Sequence, residues 1–113
     1  PAPDHRWRHS MTLDEFDGAV RKLHGLCQDT LADTTLMDHK LALISELKTN
    51  VTPLTTPTGF GAAMDRLVDD ASAHAQRIVG SLVESPAIYL NEVQSLEKNL
   101  VAIEGEIVRL RRG

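Results

Sequence analysis

IVGSLVESPAIYLNEV, residues Ile78–Val93, decides how this chain folds. Val68, Ala75, Leu82, Tyr89, Leu96, Ile103 and Leu110 follow one another in steps of seven. That row passes through Ser85-Pro86, a pair that otherwise reads as an N-cap followed by proline at the first helical position. Register kept across the proline predicts a helix that kinks at Pro86 and continues. The alternative ends the helix at Gly80, lets residues 81–85 turn, and gives a three-helix bundle.

Upstream, Thr12 and Glu15 have the spacing of a capping box, with Met11 and Phe16 placed as a hydrophobic staple. Leu13, Phe16, Val20, Leu23 and Cys27, then Met37, Leu41, Ile44 and Val51, keep to one helical face at spacings of three, four or seven, with Thr30 and Thr34 in the same seam between the two groups. This predicts one long helix over about 12–49, whose core from Leu13 to Lys48 spans roughly 54 Å at 1.5 Å per residue. NVTPLTTPTGFG, residues 50–61, is the only strong break, because Pro53 and Pro57 remove backbone donors and Gly59 and Gly61 free the turn. The expected fold is therefore all-α: an N-terminal arm over 1–11, then a long antiparallel helical hairpin over 12–113. Its parts are the first helix, a loop over 50–60, a second helix over about 61–84, a kink at 85–86 and coiled-coil heptads over 86–112.

Composition narrows the function classes. In 113 residues there is room for one small domain. Twelve Lys and Arg against sixteen Asp and Glu leave a net charge of −4, which argues against general nucleic-acid binding. The one cysteine, Cys27, rules out an internal disulfide and sits on the apolar stripe as a small buried hydrophobe. No apolar run approaches the roughly 18 residues of a membrane span. Together these point to an intracellular protein, cytoplasmic or nuclear, with an organelle also open.

Motifs for chemistry are weak. Gly59-Phe60-Gly61 opens a helix, but Met64 stands where a dinucleotide fingerprint needs its third glycine, so loop-to-helix entry explains it. His24, His39 and His74 lack zinc-ligand spacing, and His74 lies one turn after Asp70, where a structural hydrogen bond is expected. No catalytic residue, cofactor site or metal site is assigned. His5-Arg6-Trp7-Arg8-His9 is the one basic and aromatic cluster. It reads as a terminal arm, with Arg6, Trp7 and Arg8 as a possible secondary contact for a partner.

The C-terminal pattern carries the functional expectation. Tyr89, Val93, Leu96, Leu100, Ile103, Ile107 and Leu110 fit d-a-d-a-d-a-d without an error. A kinked second arm of roughly 80 Å would outrun the first helix and leave this stripe uncovered, as a partner surface. The competing structural reading packs the same stripe inside its own domain. A parallel homodimer would oppose Glu92 with Glu97 and Asn99 with Glu104, leaving only Glu106 with Arg111 attractive. Val101 and Val108 also widen the apolar face. A multi-helix homo-oligomer or a heteromeric coiled-coil partner fits better. The expectation is a non-enzymatic interaction module that scaffolds or bridges a larger complex. The alternatives are a groove binder for a peptide or small ligand, and a structural subunit of a large enzyme.

Overall fold

The structure is a computed structural model and describes residues 11–32, 43–48, 54–80 and 86–113. Among the described residues there is no strand, and four helices pack together. We number them α1 (Leu13–Ala32), α2 (the helical residues 43–48), α3 (Ala62–Gly80) and α4 (Pro86–Arg112).

α1 starts where its capping residues require. The Thr12 N–H donates to Glu15 Oε1 (2.9 Å), and the Glu15 N–H donates back to Thr12 Oγ1 (3.0 Å). Two of the helix's orphan donors are thereby satisfied, and Asp14 and Glu15 lie at the positive end of the dipole. The expected single helix over 12–49 is corrected by a tertiary contact. Lys22 Nζ lies 3.4 Å from Glu46 Oε1, whereas 24 residues of continuous helix would hold them roughly 36 Å apart. α2 therefore lies back alongside α1, and its Leu43, Ile44 and Leu47 are in the core. Met37, Leu41 and Val51 lie outside the described residues.

The entry to α3 is fastened by threonines. Asp65 Oδ1 accepts from the Thr58 N–H (2.7 Å) and from Thr58 Oγ1 (2.9 Å). Thr56 Oγ1 donates to Asp69 one turn later (2.9 Å). Gly59 and Gly61 hold φ values of +86° and +105°, a region that disfavours any residue with a Cβ, and the Thr56–Pro57 bond is cis. The loop also anchors the core: Leu54 is buried, and the Phe60 ring meets Phe16 at 5.2 Å between centroids.

α4 settles the question posed by Pro86. It begins at Pro86, as the Ser85-Pro86 reading allows, but it packs against both α3 and α1 rather than extending away from them. The longest dimension of the molecule is 43 Å, about the length of α4 itself and half that of a kinked continuous arm. The expected hairpin with a projecting second arm is thus corrected. The three-helix alternative is nearer, but it lacks α2. Ion pairs give the directions. Asp14 and Asp17 of α1 meet Arg111, while His24 further along α1 meets Glu104 and Glu97, so α1 and α4 run antiparallel. Leu82 and Val83 lie outside the described residues.

Candidate interaction surfaces

Heptad positions on α4 sort its side chains by what they face. Positions a and d hold Tyr89, Val93, Leu96, Leu100, Ile103 and Ile107, each exposed by 3% or less. They share one core with Phe16, Val20, Leu23 and Cys27 of α1 and with Met64, Val68, Ala71, Ala75 and Ile78 of α3. Leu110, the last of the row, is half-buried against that core. The stripe expected to lie uncovered is therefore covered from within. The physical reason is that α1 and α3 bring matching apolar faces to both sides of it.

The flanking positions fix this arrangement electrostatically. On the e edge, His24 Nδ1 pairs with Glu104 Oε2 at 2.9 Å and its Nε2 lies 3.5 Å from Glu97. Further along the same edge Arg111 reaches Asp14 (2.7 Å) and Asp17 (3.3 Å). On the g edge, Glu92 takes His74 Nδ1 at 2.7 Å and Arg77 Nε at 3.3 Å. A carboxylate only accepts, so each imidazole Nδ1 is the donor. The e edge thus belongs to α1 and the g edge to α3. His74 does pair structurally, but with Glu92 across the helix interface instead of the expected Asp70. Local i, i+4 reasoning has no access to a partner eighteen residues away.

A small polar island sits inside the core. Burial pushes the Cys27 thiol up to about 12. Burial also raises the Tyr89 hydroxyl to about 12, and the adjacent Cys27 adds to the rise. Thr30 Oγ1 donates to the Leu26 carbonyl (2.9 Å). A thiol held neutral and out of water is a poor nucleophile. Among the described residues no three His, Cys, Asp or Glu side chains are grouped to hold a metal ion.

What α4 offers to solvent is its b, c and f face. All three exposed large hydrophobics of the described residues are on it: Ile88, Val101 and Val108, each about half exposed. Between Ile88 and Arg112 this face carries no acidic residue. The four glutamates of α4, at 92, 97, 104 and 106, are all at e or g, where each has a cationic or imidazole partner. Lys98, Arg109 and Arg112 are the charges on the outer face, and Arg109 also binds Glu106. On a chain of net charge −4 this strip is a local inversion of sign. The signal was available in the sequence once a and d were assigned.

Comparison with protein-family models, with curated proteins and with solved structures found no match. Two further features bear on binding. A cleft of about 420 Å³ opens between α2, Leu54 and α3, walled by Leu47, Leu54, Ala75 and Val79, with Lys48 and Gln76 at its edge. No described helix is long and apolar enough to cross a membrane. Arg6, Trp7 and Arg8 lie outside the described residues.

Proposed function

We propose that this chain is a non-enzymatic protein–protein interaction module, one that scaffolds or bridges a larger complex by adding a helix to its own bundle. The observation that carries this reading is the outer face of α4. There Val101 and Val108 stand exposed on a helix whose a, d, e and g positions are already engaged inside the molecule. Apolar side chains grouped on one exposed helical face mark a contact surface more often than isolated ones do. The heptad seam then serves the interior, and partner binding falls to the opposite side of the helix. The absence of activity belongs to the same proposal: the one thiol is buried and held protonated, and both described histidines tie helices together. So does an intracellular setting, which suits a free, buried Cys27.

Site-specific photocrosslinking in the native cells tests the reading. A crosslinker replacing Val101 or Val108 is expected to capture protein, whereas one replacing Asp70, exposed on α3, captures none above background. Equal yields from all three positions would refute it.

The cleft favours a second reading, a groove binder for a peptide or small ligand. Its mostly apolar walls and its volume lie within the range of ligand pockets. A ligand-dependent rise in melting temperature, with no change in mass, would favour this reading over the first.

A further inference from the structure

Resting on the reading of α4 as a contact surface, we infer that its outer face docks an acidic amphipathic helix of another protein. The apolar part is Val101, Ala102, Gly105 and Val108, adjacent on one face by three- and four-residue spacing and all exposed. Short side chains make this strip shallow. A Cβ built on Gly105 would meet nothing within 4 Å, so at that point a partner helix can approach the α4 backbone closely.

Charge selects the partner. Lys98 and Arg112 bracket the strip at its two ends, both at f, seven residues before and after Gly105 and roughly 21 Å apart along the helix. Neither makes an ion pair among the described residues, and the nearest α4 carboxylates are turned to α1, α3 or Arg109. A partner that buried the strip with lysines at its flanks would meet only like charge. One with glutamate or aspartate on its flanks, two heptads apart around small or branched apolar residues, would pair at both ends. An anionic membrane would suit the charge but not the shape. The strip has no aromatic anchor and only two valines at its centre, too little apolar depth for interfacial insertion. Three cations are also few for nucleic acid.

The test uses the full chain, labelled with nitrogen-15, and a synthetic amphipathic peptide of about 21 residues, roughly 30 Å of helix. The peptide carries an alanine/valine stripe flanked by glutamates; a second peptide has lysine in place of every glutamate. Amide shifts are expected to move in residues 98–112 with the acidic peptide, at micromolar to submillimolar affinity. The lysine peptide should bind at least tenfold more weakly. V101E/V108E should weaken the acidic peptide at least tenfold while leaving the circular-dichroism melt unchanged, because both positions are exposed. Raising the salt from low to about 0.5 M should weaken it several-fold, since these charges are solvated. No binding of the acidic peptide, equal binding of both peptides, or shifts confined elsewhere would overturn the inference. So would flotation with phosphatidylserine vesicles in place of peptide binding, or self-association lost in V101E/V108E. Failure here alongside protein adducts at Val101 in cells would reject the acidic helix and leave the interaction module standing.

Discussion

Leu100 and Val101 are neighbours in sequence and opposites in environment: Leu100 is fully buried and Val101 is 49% exposed. Truncating each to alanine therefore measures the packing of α4 directly. Leu100→Ala removes buried methyl groups and leaves a cavity between helices, at a cost of about 2–5 kcal/mol. A single domain of this size has about 5–15 kcal/mol in total, so this one truncation removes a substantial share of the stability. Val101→Ala removes half-solvated carbons and improves helix propensity, which keeps its effect within about 0.5 kcal/mol. Urea unfolding followed at 222 nm reads both. With a slope of about 2 kcal/mol per molar, Leu100→Ala should lower the midpoint by roughly 1–2.5 M and Val101→Ala should scarcely move it. Charging the seam with L100D/I103D should leave no cooperative transition at all. Equal, small effects at positions 100 and 101 would refute the packing described above. A folded L100D/I103D variant would do so more severely.

Other outcomes follow from individual contacts. Cys27 and Tyr89 release their protons more readily in the unfolded chain, at ordinary values of 9.0 and 10.0, than in the fold at about 12. Their contribution is complete below pH 9 and lost as pH rises through about 12, so the urea midpoint should fall steadily above pH 9. Replacement of Cys27 by alanine should flatten part of that slope, and an unchanged slope would contradict the assignment. Thr12→Ala breaks the reciprocal cap and should cost about 1 kcal/mol, measured by thermal melting. Glu92→Ala unties α3 from α4 at His74 and Arg77; with both partners partly solvated, the loss should be about 1 kcal/mol. Gly105→Ala fills open space on an exposed helical position and should stabilise by about 0.5–1 kcal/mol.

Local rules found local structure. The Thr12–Glu15 cap, the proline start of α4 and nearly every core position on α1, α3 and α4 were legible, because each is set by spacing within a few residues. The path of the chain was not. A seven-residue period says which side of a helix is apolar and is silent on which helix covers it. The same row of residues serves a projecting coiled coil or a buried central helix. Heptad register across Pro86 reads as continuity, yet two separate helices packed side by side need matching stripes just as a continuous helix does. The contacts that distinguish the two are long-range: Lys22 with Glu46, and His24 with Glu104, eighty residues apart. A single straight helix puts its apolar face through Leu41 and Ile44 and passes over Leu43 and Leu47, while Leu54 falls in the proline-rich break, where spacing marks no core position. The interaction face was legible in part. In the sequence Val101 and Val108 stand out as excess apolar width beside the seam. Their true setting, on the far side of a helix whose seam is already filled, needed the fold.

The central claim is that the heptad seam closes the chain's own core, leaving the outer face of α4 for a partner. Urea unfolding at two protein concentrations a hundredfold apart tests it most directly. A seam shared between chains would make stability depend on concentration, by about 2.7 kcal/mol over that range for a dimer. A seam buried within one chain predicts superimposable curves and undiminished helicity at the lower concentration. A midpoint that falls on dilution, with loss of helix, would contradict the account.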